Sequence, residues 1–385
     1  MKNKLQIVII VFVLIESLLF CGCTTQNSSN QNDQSSEDEF VLFSSPPADI
    51  EKVVFIIPLG TMKDEHVYPT DHQYYVASYY QELEDENAVD VYSPGDGIVT
   101  EIEYHDYQTG STTMEQDYRV IIKHTDTIYS YFIHIDNLSE KIAETVTDLT
   151  PQQHEDVRPV EVNIQVEAGE KIGTYKGTLD YNVVDYNIEI GIINIESYGT
   201  ESFKLYIQDP FLYFNESLKT QLIAKCQRST SPEGGTIDYD IDGKLVGTWF
   251  LENADSYEYM EGERDGLAFV YHNIDTDHVI VSIGLYEDSP KQFGVKDISF
   301  DPADISVENV LTKLELVNYN YYYNGEIVAE PDSLMKGLEL VNEEQVQGVL
   351  LVQLIEDQKL KMEVFPGKTA SEVTAFTDDF RIYTR

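Results

Sequence analysis

The chain has 385 residues, 25 Lys+Arg against 69 Asp+Glu for a formal charge of −44, and is 42% apolar, 24% charged and 11% aromatic. That composition describes a folded body and excludes collagen, coiled coil and multi-span membrane protein, while the length exceeds what one hydrophobic core usually supports. So large a negative charge is repelled by phosphate backbones, so nucleic acid is excluded as a partner.

Lys2 and Lys4 precede an apolar run over 7–15, and a shorter one, Leu18-Leu19-Phe20, leads into Cys21-Gly22-Cys23. A membrane helix needs about 20 apolar residues, so the run reads as the core of a signal peptide spanning 1–22. Gly22 before Cys23 looks like a lipoprotein processing site, with Cys23 as the lipidated residue. Residues 23–39 lack apolar side chains beyond that cysteine and read as a flexible tether. The expected place of the body is therefore the outer face of the cell membrane, held by an N-terminal lipid.

Past the tether the pattern is strand-dominated. VVFIIPL (53–59) is a buried-strand run, and GIVTEIEY (97–104) and VEVNIQV (160–166) alternate with period two. YRVIIKH and TIYSYFI flank His124-Thr125-Asp126 as a hairpin, and 139–147 has helical spacing. Turn formers at 226–235 predict an exposed linker, giving one domain at 40–222, a linker at 223–235 and a second β-rich domain at 236–385. In the second domain LVGTWFLEN weakly resembles the G-x-W start of lipocalin-like barrels, and the strands that follow suffice for a small barrel or sandwich. DYDIDG (238–243) matches half of a calcium loop, but the twelfth position is Trp249 instead of Glu, so it reads as an Asp-rich turn.

Three blocks, SPGDGIVTEIEY, YRVIIKHTDTIYSYFIHIDNLSEKI and VEAGEKIGTYKGTLDYNVVDYNIEIGI, follow one another in the order found in lysostaphin-type zinc endopeptidases, the duplicated hybrid motif. Gly97, Gly169, Gly173 and the segment 131–138 carry the resemblance, which covers about two fifths of the chain. It implies an antiparallel β-sandwich of lysostaphin type and, in that family, a zinc site. The family's first zinc motif, a His and an Asp separated by three residues, is met by His66 and Asp71, separated by four, with His72 beside them. Imidazole and carboxylate are competent zinc ligands. The family's H-x-H strand falls on Asp185 and Asn187, and its other catalytic histidine on His134. An amide oxygen at Asn187 is a feeble zinc ligand.

Without the resemblance, DYNIEIGI reads as a strand with Tyr186, Ile188, Ile190 and Ile192 on one face and Asp185, Asn187 and Glu189 on the other. Such a polar row is either the solvated side of an ordinary strand or the floor of a cleft. The expectation is a degenerate lysostaphin-like domain that acts as a binding or scaffold module for a peptide, glycan or protein ligand, with zinc weak or absent. The alternative is a zinc-dependent endopeptidase or other metallohydrolase with a rearranged site: His66 with Asp71 or His72 on the metal, Asp185 completing it, and His134 acting on the bound water as general base or transition-state donor.

Overall fold

The computed structural model describes residues 42–78, 83–109, 113–146, 159–254, 265–329 and 331–385. The signal segment, Cys23 and the tether lie outside the described residues. The all-β expectation holds. Its first part contains β1 (Phe55–Ile57), β2 (Gln73–Val76), β3 (Val89–Tyr92), β4 (Gly97–Thr109), β5 (Thr113–Lys123), β6 (Ile128–Ile135), β7 (Asn137–Leu138), β8 (Val160–Val166), β9 (Lys171–Tyr175), β10 (Thr178–Asp185) and β11 (Ile207–Gln208). In β8 the alternation is as expected: Val160, Val162, Ile164 and Val166 turn inward while Glu161, Asn163 and Gln165 face water. The helical spacing after Ser139 yields the short helix α1 (Glu140–Thr145), which buries Ile142.

The strands form a large antiparallel sheet in the order β1-β2-β10-β6-β5-β4-β8, with β11 on β10, and a small sheet β3-β9-β7. One core lies between them, joining Val99, Ile102, Val120 and Phe132 of the large sheet to Val89, Val91 and Ile172 of the small one. The helix α2 (Glu216–Lys225), capped by the Asn215 side chain on Leu218 N at 3.0 Å, adds Leu218 and Leu222 to it.

The second part is a closed barrel of β12 (Gly247–Leu251), β13 (Gly266–Tyr271), β14 (Val279–Tyr286), β15 (Ser289–Val295), β16 (Thr312–Tyr323), β18 (Glu339–Glu356), β19 (Lys359–Pro366) and β20 (Arg381–Thr384), with β17 (Glu326–Val328) extending β16. Each barrel strand pairs antiparallel with the next in sequence, β15 with β16 through Gly294↔Val317 included, and β12 meets β20 through Phe250↔Thr384 to close the ring. Its interior is filled by Trp249, Leu267, Phe269, Val281, Ile283 and Tyr383, as an eight-stranded barrel allows.

The expected exposed linker at 223–235 is corrected. Residues 223–225 end α2, Cys226 and Gln227 are fully buried, and Gln227 N donates to Ile56 O at 2.9 Å. The backbone lies parallel to β1 at Ile56↔Cys226 and just beyond it at Leu59↔Gly235. Gly235 has φ +90°, and a Cβ there would meet Leu59 O at 2.5 Å, so the turn formers serve close backbone approach. Asn273 of the barrel part donates to Pro58 O and Thr61 Oγ1, and residues 40 to 385 form one compact unit.

Candidate functional site

The third residue of β10, Asp180, pairs with Tyr74 of β2 on one side and Ile133 of β6 on the other. That register places its carboxylate between the start of β2, where His72 stands, and His134 near the end of β6. The Asp180 Oδ2 atom lies 3.2 Å from His72 Nε2 and 3.3 Å from His134 Nε2. The opposite ring nitrogens are also paired: His72 Nδ1 with Asp71 Oδ1 at 2.9 Å, His134 Nδ1 with Asp117 Oδ2 at 2.9 Å. Five side chains thus alternate as Asp71, His72, Asp180, His134 and Asp117.

His134 adopts φ +67°, a left-handed conformation that β-strand residues avoid. Asp117 holds it there, accepting from the His134 backbone N–H at 3.0 Å as well as facing the ring. Non-glycine residues in this region are held by their surroundings, often at sites of function. The His134 side chain is 42% exposed while that of Asp180 is 6% exposed, so the imidazole forms the open rim of a closed carboxylate floor.

Burial alone would push both histidines down. For His72 the Asp180 carboxylate and the Asp71 hydrogen bond outweigh it and hold the imidazole above its usual value. For His134, Asp180 and Asp117 do the same more strongly, well above the ordinary range. Burial works against the Asp180 charge too, but the two imidazoles hold its carboxyl below the usual carboxylate range. Asp71 is likewise held down against burial, by the Lys204 ammonium first and then by His72. In each pair the carboxylate thus favours the charged form of the imidazole, and the imidazole that of the carboxylate.

His66, Asp71 and His72, the residues expected to hold zinc, lie in or beside this chain of side chains. A zinc-bound histidine is neutral and offers a free lone pair. Here both nitrogens of His72 and of His134 face carboxylates, and among the described residues no group of three or more His, Cys, Asp or Glu is arranged to hold a metal. His66 does lie near, its ring centroid 6.5 Å from that of His72.

Asp185 and Asn187 are elsewhere. Asp185 ends β10, five residues beyond Asp180 and so roughly 17 Å along the strand. Its Oδ1 accepts from Asn187 N at 3.0 Å and Asn187 Nδ2 at 2.7 Å, and its Oδ2 accepts from Tyr213 OH at 2.8 Å. Asn187 also donates to Thr127 Oγ1. The expected strand DYNIEIGI is therefore corrected to a turn built on Asp185, with Tyr186 and Ile188 41% and 48% exposed. The tripeptide Asp-Tyr-Asn occurs twice, at 180–182 and 185–187, and the first copy faces His134. Asp117 and Asp180 were not expected from the sequence. Asp180 carries a signal, the alternation of Leu179, Tyr181 and Val183 into the core; Asp117 carries none.

The sheet face that bears Asp180 is covered by the chain itself. The segment Ile195–Tyr206, two short 3₁₀ turns meeting at Gly199 (φ 57°), lays Phe203 against Tyr131 of β6, the ring centroids 5.5 Å apart and the planes 12° apart. Tyr131 pairs with Asn182, two residues from Asp180. Lys204 is buried, bonded to Glu201 Oε2 at 2.8 Å, and is the cation that lowers Asp71. Tyr68, Tyr198 and Phe250 complete this cluster. No family model, no curated protein and no solved structure matches the chain.

Proposed function

We propose that this chain is a lipid-anchored, outward-facing binding module on a lysostaphin-like scaffold, with a carboxylate–imidazolium network where that family has its hydrolytic centre. One observation carries the reading: the Asp180 carboxylate stands between His72 Nε2 and His134 Nε2, at 3.2 and 3.3 Å. The strand beside His134 presents Asp180-Tyr181-Asn182, the same carboxylate-x-amide pattern that the resemblance sets at Asp185 and Asn187 in place of H-x-H. A carboxylate in place of the first imidazole brings a negative charge that favours the protonated form of both remaining imidazoles. Replacing the second by Asn182 exchanges a nitrogen ligand for an amide. A protonated imidazole neither ligates zinc nor accepts a proton from water, so this environment disfavours hydrolysis through zinc-bound water. The half-exposed His134 cation and the carboxylates behind it suit recognition of a polar ligand, a peptide, glycan or protein segment.

The test is metal content together with peptide cleavage, on the chain purified in detergent and dialysed. The expected result is less than one equivalent of zinc and no cleavage of glycine-rich or wall-type peptides. Stoichiometric zinc that is lost in His66→Ala, together with cleavage that requires His134, would establish the metallohydrolase with a rearranged site instead.

A further inference from the structure

The large sheet ends on β8, which pairs with β4 on one side; among the described residues no strand lies along the other. An open edge is a row of backbone donors and acceptors ready for another strand, and folded chains usually blunt it with a proline, a lysine or a very short strand. β8 is seven residues long, VEVNIQV, with neither proline nor lysine. Its one irregularity is a register shift against β4 between Val99 and Glu101, and its side chains alternate straight through. Glu161, Asn163 and Gln165 are exposed, Ile164 and Val166 buried, Val160 and Val162 half-buried. The Gln165 carbonyl accepts from Lys141 Nζ of α1 at 2.6 Å. That half-exposed ammonium also holds Glu170 Oε1 at 2.5 Å, so its flexible stem can yield the carbonyl and keep the carboxylate.

The sequence of this edge is complementary to its own reverse. Turned antiparallel about Asn163, Val160 meets Val166, Glu161 meets Gln165, Val162 meets Ile164, and Asn163 meets its own copy. Inward apolar side chains then face apolar ones, outward polar side chains face polar ones, and the single charge, Glu161, faces an amide. The neighbouring registers lack this match. Centred on Ile164, Glu161 would face Glu167; centred on Val162, Pro159 would enter the ladder.

From this we infer that β8 is the interface of a symmetric dimer: two copies of this chain join β8 to β8, antiparallel about a two-fold axis at Asn163, into one continuous sheet. Such an interface is isologous, so one surface supplies both halves and the assembly closes at two. A seven-residue edge is a small contact, which makes the pairing weak and reversible in solution. The charge of −44 on each copy opposes approach, and salt screens exposed charges more than about 8 Å apart at physiological ionic strength. Because the two edges set no charge against another, salt should strengthen the dimer, the opposite of its effect on an interface of ion pairs. The inference is independent of what the site around Asp180 binds.

The test uses the purified full chain in detergent, with micelles in excess so that few hold two copies. Asn163→Cys should cross-link to itself with a short bismaleimide. Glu161→Cys and Gln165→Cys should each fail to do so, since each lies about 13 Å along the strands from its own copy, and the two mixed together should cross-link. The wild type, whose Cys226 is buried, is the blank. The yield at 163 should rise with salt. Asn163→Lys, which sets two ammoniums face to face, should lower the association constant in sedimentation at least ten-fold. Equal yields at all three positions, no cross-link at 163, or a yield that falls with salt overturns the inference, as does an Asn163→Lys variant that associates like the wild type. Should the variants fail to fold, hydrogen exchange on the wild type decides: the amides over 160–166 must gain protection as protein concentration rises, and unchanged protection overturns it.

Discussion

The guanidinium carbon of Arg385 lies 4.3 Å from the centroid of the Trp249 ring, both side chains sealed from water at one end of the barrel. Arg385 donates to Ile241 O at 2.8 Å and to the carbonyls of Lys244 and Val246, and faces Asp240 Oδ1 at 3.6 Å. Gly247 is required beneath it, since at φ +119° a Cβ would meet Asp240 Oδ1 at 2.1 Å.

Arg385→Ala should therefore cost about 3 kcal/mol or more, because it leaves Asp240 buried without its cation and several carbonyls without a donor. Arg385→Lys should recover only part of this, since an ammonium lacks the planar fork that stacks on Trp249 and reaches three carbonyls. Thermal melts of the three proteins check it. A loss below about 1 kcal/mol in the alanine variant would show that the latch is dispensable.

The buried His272 sets the acid limit. Burial, the neighbouring His278 and Arg228 push its imidazole down to about 3. The unfolded chain takes up this proton near the ordinary pKa of about 6.5, so the unfolded state binds more protons between pH 6.5 and 3. Stability present above pH 6.5 should then fall with decreasing pH, by about 1.4 kcal/mol per pH unit for one such proton. His272→Asn, which keeps an acceptor for the Ile274 and Asp275 amides, should flatten that slope in urea titrations between pH 6 and 4. An unchanged slope would place the acid sensitivity elsewhere.

His72 and His134 work in the opposite window. Their imidazoles are raised in the folded chain, so the stability they contribute is complete below about pH 6.5 and fades as pH rises through the folded values. Asp180→Asn removes the shared partner. NMR titration should show both imidazoles falling by at least one pH unit, and the cost of the substitution should be greater at pH 6 than at pH 9. Histidine titrations that do not move would mean that Asp180 is not the group that holds them protonated.

Residues 40–222 and 236–385 should not fold as separate pieces. Tyr68 OH donates to Trp249 O at 3.2 Å, and Phe250 packs among Tyr68, Tyr131 and Tyr198, so dividing the chain exposes a shared core. One cooperative unfolding transition is expected, with protease cuts within 226–235 appearing only as it unfolds. Either half giving a native-like melt alone would contradict this.

Cys23→Ser should release the protein from the detergent phase or leave it unprocessed. Wild-type protein recovered free in the aqueous phase would remove the lipid anchor from the proposal.

Periodicity carried much of the fold. The inward row of β8, the β5–β6 hairpin and the barrel start at Gly247-Thr248-Trp249 all follow from side-chain alternation and turn chemistry. What failed were choices between equivalent patterns. Both 179–183 and 185–192 alternate, and the copy that becomes strand is decided by pairing with Tyr74 and Ile133, far away in sequence. The turn formers at 226–235 read as a linker because a sequence does not say whether a glycine is needed for solvent or for a backbone pressing against it. β15, SPKQFGV, has too weak an alternation to stand out, and its place comes from Val281↔Phe293 on one side and Val295↔Leu316 on the other. Of the site, His66, Asp71, His72 and His134 were legible as chemistry; the carboxylates that join two of these histidines came from register.

β1 is an edge strand, and its free side is lined by Cys226 and Gln227. A chain that emerges N-terminus first, as from the ribosome, presents β1 long before residue 226 arrives to cover it. Until then the sheet offers an unpaired backbone to any neighbouring strand, and the sheet face that bears Tyr131 still lacks Phe250. Folding of the first sheet is thus timed by the arrival of the second part, a dependence on distant contacts that slows the process. It makes the half-emerged chain the species most in need of a holding chaperone.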